Sequence, residues 1–395
     1  MFGKEPLNCN SMIDLQSDML EEVITKLPTI DLLSASCVSV DWLQAVSSSL
    51  QRRPRLFPWL IVRCIPQPKS SSYSIHALDP YSHTWLSITC HNSASKQPST
   101  ILHFLSGPTR DRLYMLSPSK MAIFEDPFGS MHRMEAKGPK VWRQDPVVAE
   151  VGRWIVVAGG GGFLMGLEDE DGAVEVFDKH AQTGTWEVAE PIPWKFEGST
   201  FATWLSAASS DTRLYVIEKK MGWMSQFNPE TKKWGPTRRM MPDRSVSAWS
   251  IATVAKERLL LVGAGKEGEG RKGVMKVRYW EVDGNSLQVI NDKPEEMPGE
   301  MVSRLFPDFH MMDDARQRAC SVQVCGTVHG GYIFDPAKMK HGVVMYHRST
   351  EGEEGRRVER WEWVPYPAAV EYCQREAISL GCSPVTLNQL ARCFV

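Results

Sequence analysis

The sequence predicts a mainly β protein, a β-propeller of six blades or five, preceded by a small all-helical unit. Three observations predict it. A helical period is clear only near residues 15–42. From residue 59, short β-branched runs alternate with clusters of Gly, Pro, Asp and Ser, the pattern of many short strands. A unit of strand, glycine, loop and strand ending in Asp or Asn then recurs about every 50 residues, the period of radially repeated sheets.

Composition sets the outer limits. The chain has 395 residues, 42% hydrophobic and 23% charged, enough for a sizeable core. Lys and Arg number 45 against 47 Asp and Glu, so no basic field favours nucleic acid. Nine cysteines are scattered without a CxxC pair. Reduced thiols in a cytoplasmic or nuclear protein are expected, with no metal and no cofactor. The first residues lack the apolar core of a signal peptide, and no apolar run reaches the ~18 residues of a membrane span.

Residues 1–12 carry no element signal and are expected to be disordered. Residues 13–50 read as three short helices. Ser17 is placed to cap the first, which carries Met19, Leu20, Val23, Ile24 and Leu27 on one wide face. Pro28 ends it by pushing Leu27 out of the α region. Thr29 is expected to cap a second helix bearing Ile30, Leu32 and Leu33, and a third passes through Val38, Trp42 and Val46. About 40 residues bury little alone, so the unit either packs on the rest of the chain or keeps an apolar face for a partner.

The order of these residues resembles an F-box of the plant type. Leu15, Asp18, Met19, Leu20, Glu22, Val23, Ile24, Leu27, Pro28, Leu32, Leu33, Val38 and Trp42 fall on that pattern without a gap. Gln16 and Ser39-Val40 depart from it. The resemblance implies a surface for a Skp-type adaptor, and through it a cullin, made of Leu15, Met19, Val23, Ile24, Leu27, Pro28, Leu32, Val38 and Trp42.

Residues 51–58, Ser-flanked and Pro-containing, read as a linker to a propeller over 59–366. Strands are expected at Trp59–Cys64, Trp154–Ala158, Leu214–Ile217, Leu259–Val262 and Ser321–Val324. Asp79, Asp126, Asp178, Asn228, Asp283 and Asp335 anchor the repeats, their side chains starting turns by accepting backbone N–H groups. Gly159-Gly160 permits a tight turn and close blade approach. Trp85, Trp186 and Trp234 supply apolar plates between blades, while Leu287 stands near the place of one. One blade is expected to be completed by distant segments. Residues 367–395 form a tail, helical over Ala368–Leu380, that caps or closes the propeller.

Enzyme signatures are weak. Gly159–Gly162 follows a strand but opens no helix and lacks a Walker Lys-Ser/Thr. Gly263-Ala264-Gly265 reads as a flexible loop, and the acidic run Glu168–Asp171 lacks the ligand alternation of a calcium loop. The histidines show no metal spacing and no nucleophile elbow is present. Candidate binding residues are the aromatic and basic ones of the loops that close one propeller face. They are Trp142, Arg143, Phe163, Trp194, Phe196, Trp223, Arg244, Trp249, Arg304, Phe309 and His329. Roughly half are expected to pack between blades instead.

The whole chain resembles the plant F-box/kelch family. That implies the non-catalytic substrate receptor of a Skp–cullin–F-box ubiquitin ligase, leading to target ubiquitination and degradation. Some relatives receive enzymes of phenylpropanoid or flavonoid synthesis, so such an enzyme is a candidate target by resemblance. The alternatives are a kelch scaffold outside any ligase and a small-molecule or light sensor, though no room for a separate light-sensing domain is expected before residue 15.

Overall fold

The computed structural model describes residues 17–52, 57–65, 72–91, 103–106, 113–116, 119–124, 128, 133–141, 143–162, 172–181, 184–196, 200–268, 273–290, 293–309, 320–348, 358–366, 377–383, 385–386 and 389. The expected disorder of residues 1–12, Leu15, Asp126, the run 168–171, Trp142 and Phe163 lie outside them. The chain divides into two compact units, Met1–Leu56 with Thr386–Val395, and Phe57–Val385.

The first unit contains helices α1 (Ser17–Lys26), α2 (Thr29–Ser36) and α3 (Val40–Arg52). It builds a small core from Leu20, Ile24, Leu32, Ala35, Ala45 and Val46, with Leu27, Trp42 and Leu50 packed against it. Pro28 takes the N-cap position of α2 without a side-chain cap bond, and Thr29 is buried inside the helix rather than capping it. Ser39, one of the departures from the family pattern, caps α3: its hydroxyl accepts the Trp42 N–H at 3.2 Å. The expected linker is shorter than its sequence suggested, because α3 continues to Arg52 and Phe57-Pro58 already belong to the second unit. Phe57 stacks on His347 with centroids 4.4 Å apart, and the Tyr332 hydroxyl donates to the Pro58 carbonyl at 2.8 Å.

The second unit is a propeller. Among the described residues it has six antiparallel sheets of four or five strands. Blade 1 runs outward from Ala377–Ser383 through Trp59–Ile65 and Ser72–Leu78 to Trp85–His91. Blade 2 is His103–Ser106, Leu113–Leu116, Lys120–Phe124 and Arg133–Lys137. Blade 3 is Val147–Val151, Trp154–Ala158, Val174–Asp178 and Trp186–Ala189. Blade 4 is Leu205–Ser209, Leu214–Glu218, Trp223–Asn228 and Lys233–Trp234, with Arg238–Arg239 added beside its third strand. Blade 5 is Val246–Ala255, Arg258–Glu267, Val274–Asp283 and Gln288–Val289, with Glu295–Glu296 added. Blade 6 is Gln323–Thr327, Gly330–Phe334, Val343–Arg348 and Val358–Val364. The six inner strands neighbour one another in a closed ring.

The tail closes the propeller, one of the two roles expected of it, but as a strand where a helix was expected. Residues 377–383, of which 377–380 were expected to be helical, form the inner strand of blade 1, in register from Trp59↔Ser383 to Ile65↔Ala377. The propeller therefore extends past residue 366 and is closed by its own C-terminal strand. The alternation Ile378, Leu380 and Cys382 serves a strand as well as a helix face, and the edge of Trp59–Ile65 decides between them. Gly263–Gly265 likewise lies within a strand, where Gly263 faces Trp249 in register; only 269–272 of that loop fall outside the described residues.

The turn anchors work as their chemistry demands. Asp79, Asp178, Asn228 and Asp283 each end a third strand, and a side-chain oxygen accepts a nearby backbone N–H at 2.7–3.0 Å. Asp335 makes the same bond, to Ala337 at 3.0 Å, but ends the second strand of blade 6. Its even spacing in sequence is thus not structural equivalence. Leu287 does not stand in for a Trp plate; it occupies the left-handed turn position, φ 53°, with its side chain buried. The Trp plates lie between blades: the Trp186 indole donates to the Lys137 carbonyl at 2.7 Å and Trp234 to Glu190 at 3.0 Å, each reaching the preceding blade. Gly159 has φ 66°, and a Cβ there would lie 2.3 Å from the Thr200 carbonyl, so both reasons for glycine hold. The core is a series of apolar layers between successive blades, such as that of Val156, Val176, Leu214 and Phe227 between blades 3 and 4.

Two expectations can be measured. A chain ending at residue 376 should lose cooperative unfolding by calorimetry, since blade 1 lacks its inner strand. The Asp178 carboxyl sits below the ordinary carboxylate range because Arg153 donates to it, and Asp283 because the Ser286 N–H and hydroxyl do. Folded values below unfolded ones stabilise fully above about pH 4 and lose that contribution as pH falls through the folded pKa. Asp283→Asn should keep the turn and flatten the acid limb of the stability curve. Asp283→Ala should cost about 1 kcal/mol at neutral pH.

Candidate functional sites

Within the helical unit, the predicted adaptor residues divide in two. Met19, Val23 and Val38 are exposed at 58%, 50% and 61%, whereas Ile24 and Leu32 are fully buried in the unit's own core. Leu27, Pro28 and Trp42 are half-buried. Met19 and Val23 are four residues apart on α1, so they form one stripe. Val40 and Leu43 add an exposed apolar pair on α3 that sequence reasoning did not single out. They flank the conspicuous Trp42, and their exposure depends on which side of α3 meets α1. Ile24 and Leu32 act on any partner only through the shape of the unit.

In the propeller, antiparallel order puts the turns between second and third strands on the same face as the connections between blades. That upper face carries most of the predicted loop residues. Four of them prove structural. Arg143 is fully buried: it donates to the Glu175 carboxylate at 2.5 Å, and to the Ala173 and Val157 carbonyls. Glu175 also accepts the Lys140 and Val141 N–H groups, so the pair locks the connection between blades 2 and 3 onto blade 3. Phe196 is buried beneath its turn, Trp249 packs on Trp280 with centroids 5.7 Å apart, and Phe309 fills the layer between blades 5 and 6. His329 lies in the turn between the first two strands of blade 6, on the opposite face.

Trp194, Trp223, Arg244 and Arg304 remain on or near the upper face. Trp194 is 71% exposed on a short 3-10 turn. Arg244 is exposed, and Arg304 lies on helix α4 (Gly299–Leu305), paired with Glu300 at 2.8 Å. Trp223 is half-buried at the start of its strand, with the Lys195 ammonium 4.7 Å and the Arg239 guanidinium 5.8 Å from its ring centre.

The same face opens into a cavity of about 900 Å³ along the ring axis. Its walls are inner-strand side chains such as Val147, Leu205, Ile251, Val324 and Leu380, and Lys219 and Lys220 stand at its rim. The Lys219 ammonium donates to the Thr203 carbonyl at 2.9 Å and Lys220 to the Cys320 carbonyl at 3.0 Å. Burial pushes the Lys219 pKa down to about 8, against the pull of Asp145. Burial also pushes the Cys320 thiol up, so it is held as a neutral thiol. Among the described residues no group of three His, Cys, Asp or Glu side chains is placed to hold a metal ion.

The F-box domain profile matches residues 12–53. An F-box/kelch-repeat protein of Arabidopsis thaliana is 35% identical over 310 residues, which are 77% of this chain and 73% of the relative. The chain belongs to the F-box/kelch-repeat family. A chain of a nidogen/laminin complex aligns over 82% of this chain and 98% of its own length, with a TM-score of 0.40 and 10% identity, a likeness too slight to carry any argument.

In this F-box/kelch chain, the basic residues of the upper rim escaped sequence reasoning, although the doublets Lys219-Lys220 and Arg238-Arg239 were visible. Basic doublets in loops usually mark solvated turns, and only the fold puts both on the upper rim of blade 4, with Lys195 and Arg239 near the Trp223 ring. The buried Arg143–Glu175 pair is open to a sharp test. Arg143→Ala leaves the Glu175 charge buried without its partner and should cost about 3–5 kcal/mol in urea unfolding. Adding Glu175→Gln should recover part of that loss, whereas exposed Arg244→Ala should change stability by less than about 0.5 kcal/mol.

Proposed function

We propose that this chain is the substrate-recognition subunit of a Skp–cullin–F-box ubiquitin ligase, with no catalytic residue of its own. The observation that carries the reading is the pair of exposed apolar stripes on helices that already have a core. Solvent-facing Met19, Val23, Val38, Val40 and Leu43 have no role in holding the unit together. An F-box places such a surface against a Skp-type adaptor, which links it to a cullin. The propeller then holds a target protein on its upper face. Tethering raises the effective concentration of target lysines near the charged conjugating enzyme, and ubiquitination and degradation follow. The complex works in the cytoplasm, the nucleus or both. An enzyme of phenylpropanoid or flavonoid synthesis is the target class that the family resemblance offers.

The test separates surface from core. Met19→Asp with Val23→Asp should weaken adaptor binding at least tenfold while leaving the helical content and the propeller's unfolding transition unchanged. Full adaptor binding by that variant would overturn the assignment of this surface, and absence of adaptor binding by the native chain would make it a kelch scaffold outside any ligase. Affinity capture with the proteasome blocked, comparing the full chain with one lacking residues 1–50, should retain the target in both and show it accumulating only with the truncated form.

A further inference from the structure

Many cations on this propeller have carboxylate partners. Arg153 pairs with Asp178, Lys179 with Glu150, Arg258 with Glu281, Lys338 with Asp308, and Arg278 reaches three acids. The upper rim of blade 4 gathers several cations without one. There Lys195, Lys219, Lys220, Arg238 and Arg239 have no ion pair among the described residues. The acids around them are occupied. Asp145 accepts the N–H and hydroxyl of Thr203, and Glu218 accepts the N–H groups of Lys220 and Met221 inside its own turn.

Large apolar side chains are interleaved with these cations. The Lys195 ammonium lies 5.8 Å from the Trp194 ring centre and 4.7 Å from that of Trp223. The Arg239 guanidinium lies 5.8 Å from the Trp223 ring centre, and its Nε donates to the Met221 carbonyl at 3.2 Å. Trp194 and Met221 are exposed at 71% and 51%. An exposed Trp beside unneutralised cations leaves both apolar area and charge unsatisfied in the free protein.

We propose that the upper rim of blade 4 is the target-reading surface, and that it takes an extended acidic segment carrying an aromatic side chain. This rests on the receptor reading above and names the class of segment received. Carboxylates of the segment pair with Lys195, Lys220 and Arg239, and its aromatic ring lies on Trp194 and Met221. Association is steered by charge and weakens with salt.

The probe is a random copolymer of glutamate and tyrosine, fluorescently labelled and titrated with the full chain at physiological salt. Polyglutamate and a lysine–tyrosine copolymer serve as comparisons. The glutamate–tyrosine polymer should bind, polyglutamate should bind several-fold more weakly, and the lysine–tyrosine polymer should not bind. Lys220→Glu with Arg239→Glu should weaken binding at least tenfold, and Trp194→Ala about threefold or more. Lys137→Glu with Lys256→Glu, the same charge change elsewhere on the propeller, should leave it unchanged. Equal weakening by the two charge-reversed pairs, or absence of binding to the glutamate–tyrosine polymer, would overturn the proposal. Adaptor binding measured on the same samples keeps the two readings apart: its loss would sink the receptor role, whereas its retention beside a failed titration would sink only the acidic-segment surface.

Discussion

Everything in the larger unit depends on the pairing of Trp59–Ile65 with Ala377–Ser383. A ring of blades has no free inner edge only when its two chain ends meet in one sheet. Here the C-terminal segment supplies the inner strand and the N-terminal segment the outer three. The contact joins residues from opposite ends of the propeller's chain, so its loop-closure cost is repaid only by the complete ring. Once the ring is shut, each blade packs on two neighbours, and the apolar layers, the Trp plates and the axial cavity all take their places from that.

Closure also explains where the chemistry sits. Residue types that usually mark binding surfaces are used here for both purposes. Arg143 and Trp249 hold connections and layers inside the propeller, while Trp194, Lys220 and Arg239 stand on its rim. The difference lies in register. Arg143 is aimed at Glu175 by the short pairing of Arg143–Gln144 with Gly161–Gly162, and a shift of one residue would have turned it outward.

The helical unit was legible almost residue by residue, because a short helix has one strong period and Pro28 marks a boundary. The propeller was legible as a repeat of second, third and fourth strands, whose Asp turns and Trp plates have fixed chemistry. The inner strands were harder to read, being short and apolar with neighbours on both sides, and the first half of the closing strand was mistaken for helix. Asp335 fell on the period yet stands one strand early in its blade, since the loop before blade 6 is longer. Which of Met19, Ile24 and Leu32 faces outward, and which Trp is a plate or an anchor, depends on packing between segments distant in sequence.

The central claim is that the helical unit offers its exposed stripes to a Skp-type adaptor while the propeller stays free for a target. Hydrogen exchange on the full chain, with and without a purified adaptor, tests it most directly. The account predicts slower exchange within residues 17–52 and no change in the blades. Protection confined to the propeller, or none anywhere at saturating adaptor, would contradict it.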